Sequence, residues 1–259
     1  MVKEAVLHPY HIQLHQQLEQ KDFESRFHYA NLLLQIVDEN PQFLRNAIWT
    51  DEANFPRDAQ VNLHNAHYWS ATNRHWLGRT RQQYKWSLNV WCGTCDGARI
   101  GPVSLDGTLT AVRYLNEILL GPVEEFCANV PLARLGKLWF QHDGAPAHSS
   151  SQARAYLDKG FPSQWIGRYG PVSWPARSPD LTSLDFFLWG YMKDRVYDKE
   201  TTTPDALQSR ITEVCRGIPA ATLRRATEDT IKRCRFCVTE EGDLFEHLLS
   251  MYIVLFRSC

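Results

Sequence analysis

Ala47-Ile48-Trp49-Thr50-Asp51-Glu52 is an apolar run that ends in two acids. Leu138-Trp139-Phe140-Gln141-His142-Asp143-Gly144 has the same form, and 91 residues separate the two aspartates. Short runs rich in Trp, Phe and Ile favour strands, and a Gly after an acid is a turn signal. A third acid, Asp185, follows the loop Arg177-Ser178-Pro179-Asp180 and lies one turn into an amphipathic helix expected over Leu181 to Tyr197. Acids at strand ends and at a helix start can converge on one edge of a sheet. Hard divalent cations take oxygen ligands, and three close carboxylates repel one another unless a cation neutralises them. An Asp at a strand end also serves as a turn former or cap, so spacing alone leaves both readings open.

Outward from these runs, Asp22, Phe23, Phe27, Ala30, Leu33, Leu34 and Val37 predict an amphipathic helix that stops before Pro41. Strands are expected over Asn46 to Phe55, Trp86 to Cys92 and Ala98 to Leu105, the last closed by Asp106-Gly107. Helices are expected over Leu109 to Leu120 and Ser150 to Asp158. Gly167 to Pro179 reads as a loop around a short strand at Val172-Ser173-Trp174. Helices over Pro204 to Arg216 and Pro219 to Cys237 complete the chain. Strands early, helices late and alternation between them predict a mixed α/β layer fold.

The chain has 259 residues, 44% apolar and 12% aromatic, which suits one sizeable domain and excludes a disordered, solvating chain. No run of about 18 apolar residues occurs, so no membrane-spanning helix is expected. Met1 to Tyr10 lacks the charge and apolar pattern of a signal peptide. With 28 basic and 29 acidic residues, a polyanion must be met by a local patch. Seven cysteines, an odd number, predict free thiols in a reducing compartment. Cys92/Cys95 and Cys234/Cys237 are C-x-x-C pairs that could together hold zinc. One pair lies in a strand pattern and the other in a helix pattern, so idle thiols are the expectation.

The wording around the acids adds what spacing does not. Ile48-Trp49-Thr50-Asp51-Glu52-Ala53-Asn54-Phe55 resembles the segment with the first catalytic Asp of mariner-type transposases. Phe140-Gln141-His142-Asp143-Gly144-Ala145-Pro146-Ala147-His148 resembles the second. Trp174-Pro175-Ala176-Arg177-Ser178-Pro179-Asp180-Leu181-Thr182-Ser183-Leu184-Asp185 resembles the third, with 41 residues between Asp143 and Asp185. Thr182-Ser183 replaces the Asn-Pro or similar pair often found there. The resemblance runs from His8-Pro9-Tyr10 through Phe245-Glu246-His247-Leu248.

The resemblance implies an α/β fold, an RNase H-like mixed sheet flanked by helices, spanning 43–259 behind an N-terminal linker helix within 1–42. It implies that Asp51, Asp143 and Asp185 bind two Mg or Mn ions, with Asp51 bridging them. One ion would activate water and the other would stabilise the leaving 3′ oxygen. The implied activity is endonuclease cleavage of DNA at transposon ends and strand transfer into target DNA, in the nucleus, by a chain that forms a homodimer. Transposases of this type carry helix-turn-helix modules ahead of the catalytic domain. Only 50 residues precede Asp51 here, and their pattern gives one long helix. The expectation is a truncated catalytic part without sequence-specific recognition of element ends.

Neighbouring residues have roles to test. His148 is expected to position the loop or touch nucleic acid, and Arg177 and Lys193, which bracket Asp185, to contact phosphate. Glu52 is a spare carboxylate beside the site. Asp180, after Pro179, reads as a helix N-cap. Arg224, Arg225, Lys232, Arg233 and Arg235 form a basic cluster on a late helix, interrupted by Glu228 and Asp229. Phe186, Phe187, Trp189 and Tyr191 are read as core packing. Two other functions compete: a non-catalytic DNA-binding or assembly protein derived from a transposase, and a ribonuclease H. The three intact aspartates favour catalysis over the first, and the Trp-Pro-Ala-Arg-Ser-Pro-Asp wording argues against the second.

Overall fold

The computed structural model describes residues 17–57, 86–198 and 203–249. His8-Pro9-Tyr10, at the start of the resemblance, lies outside the described residues. Six strands, β1 (Ala47–Pro56), β2 (Ser87–Cys95), β3 (Ala98–Leu105), β4 (Trp139–Gln141), β5 (Trp165–Gly167) and β6 (Val172–Ser173), form one sheet. Its order is β3-β2-β1-β4-β5-β6. β1, β2 and β3 pair antiparallel, whereas β4 joins β1 in parallel and β5 and β6 continue that direction. The sheet is thus mixed, as expected.

β1 runs ten residues, straight through Asp51 and Glu52 to Pro56, so Asp51 stands mid-strand and not at a strand end. Side chains alternate along a strand. Ala47, Trp49, Ala53 and Phe55 therefore face one buried cluster and Ile48 the other. β2 turns into β3 at Asp96-Gly97, both with positive φ (49° and 80°), the two-residue hairpin geometry that Asp-Gly favours. A Cβ at Gly97 would stand 2.6 Å from the Ala220 carbonyl oxygen, so the close approach also requires glycine.

The helices before the sheet's parallel half are α1 (Gln20–Glu39) and α2 (Phe43–Asn46). After β3 come α3 (Ala111–Arg113), a π-helical stretch (Tyr114–Val123), α4 (Glu124–Ala128) and α5 (Leu132–Leu135). The helix expected to end at Leu120 thus continues to Ala128, through a break at Gly121. α6 (Ser151–Gly160) starts at Ser150, whose side chain accepts from the Ala153 N–H. A second π-helical segment (Leu184–Leu188) leads into α7 (Trp189–Val196), followed by α8 (Pro204–Gly217) and α9 (Ala220–Thr239). No helix among the described residues is long and apolar enough to cross a membrane.

Helices cover both faces. Tyr114, Ile118, Leu119, Val123, Ala153 and Leu157 pack on the Ile48 face with Trp91 and Phe140. Residues of α1, α7, α8 and α9 pack on the other, so Tyr29, Ala30 and Leu33 share a cluster with Trp49, Met192, Ile211 and Leu223. α1 is therefore built into the same core as the sheet. Cys92 belongs to this cluster and Cys95 to the opposite one, and Cys234 and Cys237 line α9. The C-x-x-C pairs form no shared metal group among the described residues.

One buried ion pair fastens α1. Arg26 is fully buried and grips Asp180 with two hydrogen bonds, from Nη1 to Oδ1 at 2.7 Å and from Nη2 to Oδ2 at 2.6 Å. Its Nε donates to the Gly242 carbonyl oxygen at 2.7 Å and its Nη1 to Ser178 Oγ at 3.0 Å. Asp180 is therefore the counter-ion of Arg26, in a 3-10 turn (Pro179–Leu181), where the sequence pattern led us to expect a helix N-cap. Arg26→Ala leaves a buried carboxylate without its partner and is expected to cost ~3–5 kcal/mol in urea denaturation. The pair Arg26→Met with Asp180→Leu should recover much of that loss, because it removes both charges.

Candidate active site

The parallel register sets two of the three aspartates side by side. Trp49 pairs with Gln141, and the Thr50 hydroxyl donates to the Gln141 carbonyl oxygen at 2.7 Å. Asp51 and Asp143 each lie two residues further along their strands' paths. Asp51 is buried on the face of Trp49 and Ala53, and the Trp189 indole N–H of α7 donates to its Oδ2 at 2.7 Å. Asp185 stands nearby, in the first turn of the π-helical segment.

Crowding of like charge shows in the acidities. Burial, then the charges of Asp185 and Glu52, push the Asp51 carboxyl well above the usual carboxylate range, against the Trp189 hydrogen bond. Asp185 is raised to about 6 by desolvation and by the Asp143 charge, although its interaction with Asp51 and the charge of Lys193 pull it down.

Asp143 has a different partner. His148 is buried, with Nδ1 2.7 Å from Asp143 Oδ1 and Nε2 3.2 Å from Glu52 Oε1. Burial works against the imidazolium, but the Glu52 charge and the two hydrogen bonds outweigh it and raise His148 to about 10. The same contacts, with the Ala145 N–H, hold Asp143 below its ordinary value in spite of its own desolvation. His142 stacks on His148 with centroids 4.9 Å apart and planes 8° from parallel. Burial, then the His148 charge, drive His142 well below its usual value, so it is neutral, and its Nδ1 meets the Tyr114 hydroxyl at 2.8 Å.

Glu52, Asp143 and His148 are the metal-capable group among the described residues whose ligand atoms lie within 4.8 Å of one another. The cation in that group is the imidazolium itself. Asp51, Asp143 and Asp185 do not form so tight a group, because Asp143 is turned toward His148. Their donor chemistry nonetheless fits a hard divalent cation: oxygens only, from three carboxylates whose mutual repulsion a cation would relieve.

The expected DNA contacts are distributed differently. Lys193 stands at the site, its charge felt by Asp185 and its Nζ 5.7 Å from the Phe55 ring centroid. His148 is buried between two carboxylates, so its position serves the loop and offers no surface to nucleic acid. Arg177 sits in the left-handed region (φ 55°), with Nε 2.6 Å from Asp22 Oδ2 and Nη2 3.1 Å from Glu19 Oε2. Its guanidinium ties the third motif to the start of α1. On α9, Arg233 Nη1 donates to the Asp180 carbonyl oxygen at 3.2 Å, and its guanidinium lies 4.0 Å from the Phe186 ring centroid. Trp189 packs in the core as expected and in addition holds Asp51, a role hidden in the sequence because 138 residues separate the two.

His148 is charged in the folded protein up to about pH 10, against its ordinary 6.5. Its contribution to stability is therefore complete below about 6.5 and is lost as pH rises through about 10. His148→Gln is expected to be less stable near neutrality and to show a flatter decline in urea midpoint from about pH 6.5 to about pH 10.

No family model matches the chain. The Tc3 transposase of Caenorhabditis elegans is 32% identical over 97 residues, 36% of this chain and 27% of that protein. The matched stretch thus spans about a quarter of the relative's length. A pre-cleavage Mos1 transpososome superimposes with a TM-score of 0.76 at 18% identity, over 92% of this chain and 68% of that one. The catalytic domain of Mos1 mariner transposase does so with a TM-score of 0.68 at 17% identity, over 90% of this chain and 100% of that one. The same Mos1 domain has been solved with Mg and with Mn. This chain has the RNase H-like fold seen in the catalytic domain of Mos1 mariner transposase, and over 97 residues its sequence is similar to that of the Tc3 transposase.

Proposed function

We propose that the chain is a transposase-type polynucleotidyl transferase that cuts DNA at transposon ends and joins the freed end to target DNA. The observation that carries this reading is the pair Asp51 and Asp185, whose carboxyl groups are both held above the usual range, beside the strand that leads to Asp143. A binding protein has no use for three mutually repelling carboxylates. Likeness to the Tc3 transposase, to the Mos1 paired-end complex with the left transposon end and to the Mos1 strand transfer complex supports the reading. DNA is then the substrate, both as element end and as target, two copies of the chain form the working unit, and the nucleus is the compartment. We take α1 with the catalytic unit, since its residues share the core of β1.

Asp51, Asp143 and Asp185 would hold Mg or Mn, which supply Lewis acidity for attack on a phosphodiester and for departure of the 3′ oxygen. The remaining steps belong to the chain. Trp189 fixes Asp51 by its Oδ2, to which the indole N–H donates. His148 and Glu52 orient Asp143. Lys193 supplies a positive charge beside Asp185, suited to a phosphate oxygen.

Asp143→Asn is expected to reduce Mn- or Mg-dependent cleavage of DNA about a thousandfold, equivalent to ~4 kcal/mol, with DNA affinity largely retained. Cleavage that survives this change overturns the site assignment. A wild-type chain that binds DNA and cuts none under either metal favours the non-catalytic reading. Asp185→Asn should raise the melting temperature in chelator at neutral pH, because it removes a like charge beside Asp51, and should abolish the further rise that millimolar Mn gives the wild type.

A further inference from the structure

The turn after β5 presents a second kind of chemistry beside the carboxylates. Arg168 and Tyr169 form its tip, and both are exposed, Tyr169 by 56%. The turn is pinned. The Gly170 and Trp174 N–H groups both donate to the Gly167 carbonyl oxygen, each at 3.1 Å. A Cβ at Gly167 would fall 2.4 Å from His142 Nε2, and one at Gly170 would fall 2.9 Å from the Trp165 ring. Bare backbone thus presses onto the core here, and the ring of Tyr169 is held outward.

Two guanidinium groups flank that ring. Arg154 of α6 places Cζ 5.3 Å from its centroid and Arg168 places Cζ 5.4 Å away. Among the described residues no ion pair joins either arginine to a carboxylate, and Arg154 Nε is buried without an acceptor. Two like charges gathered on one aromatic ring, with no counter-ion of their own, form a site for an anion that carries a flat group. The stem of Arg168 also lies against the Asp143-Gly144 loop, since a Cβ at Gly144 would stand 3.7 Å from Arg168 Cβ and 3.8 Å from its Cδ. The cluster therefore borders the second aspartate.

We propose that Tyr169, Arg154 and Arg168 bind one unpaired nucleotide of the DNA strand engaged at the carboxylates, the ring stacking on the base and the guanidinium groups taking the flanking phosphates. This rests on the DNA-cleaving reading above. A base inside a duplex cannot reach the ring, so the platform distinguishes a single-stranded overhang from a blunt end.

Fluorescence anisotropy with the 259-residue chain tests it, using a labelled duplex that is blunt or carries a short single-stranded overhang. Tyr169→Ala should weaken binding of the overhang DNA about tenfold and leave the blunt duplex unchanged, whereas Tyr169→Phe keeps the wild-type affinity. Arg154→Gln with Arg168→Gln should lower the salt slope on overhang DNA by about 1.4, at about 0.7 for each lost phosphate contact. A melting curve for each variant establishes that it is folded. The platform is overturned if folded Tyr169→Ala binds overhang DNA like the wild type, or loses blunt and overhang DNA equally. A wild-type chain that binds neither DNA overturns the DNA-cleaving reading, and the platform with it.

Discussion

Like charge crowded where β1 and β4 lie side by side in the middle of the sheet is the constraint around which this molecule is arranged. Asp51, Glu52, Asp143 and Asp185 come together there, and a single buried imidazolium, His148, offsets two of them. Its neighbours follow from that charge. His142, stacked face to face on it, has to be neutral, and as a neutral ring it takes Tyr114 as its hydrogen-bond partner. Gly167 must then lack a side chain for β5 to pass His142 at all. On the far side Trp189 serves Asp51, so α7 is tied to β1 by a polar contact inside an otherwise apolar interface.

Much of this frame was legible in the residues, and the exceptions have physical causes. β1, β2 and β3 alternate long enough to be read, and β3 keeps its expected limits. β5 is only Trp165–Gly167, too short for any period to appear, and it lies against a Gly-rich turn. The acids of β1 read as the end of the strand because charge in a strand interior is costly. The strand continues because the Trp189 indole N–H compensates Asp51, and that partner lies 138 residues away in sequence. The three aspartates were found through the wording around them, since strand-end acids alone are commonplace.

Charged residues are placed outside and in water by default, and Arg26, Arg177 and His148 depart from that default through specific partners. Arg26 is fully buried against Asp180, 154 residues away, although its helix reads as a simple amphipathic one. Arg177, beside the third motif, turns away from the site toward Asp22. His148 points inward to Glu52 and Asp143. Asp143 lies five residues from His148, but the Glu52, Asp180 and Asp22 partners are all remote in sequence, and no local pattern announces them. The cysteines show the converse. In a strand the C-x-x-C spacing of Cys92 and Cys95 sends the thiols to opposite faces of the sheet, which removes the motif's usual meaning.

The Arg26–Asp180 pair also bears on how such a unit can be recombined with other modules. Asp180 belongs to the turn that delivers Asp185, and its counter-ion comes from α1. A fusion whose seam lies between α1 and β1 would inherit a third motif resting on a buried, uncompensated carboxylate. A workable seam lies upstream of Glu19, where the helix begins with its own capping box and Arg177 already closes the contact. A transplant of the three aspartates therefore has to bring along a helix that carries none of them.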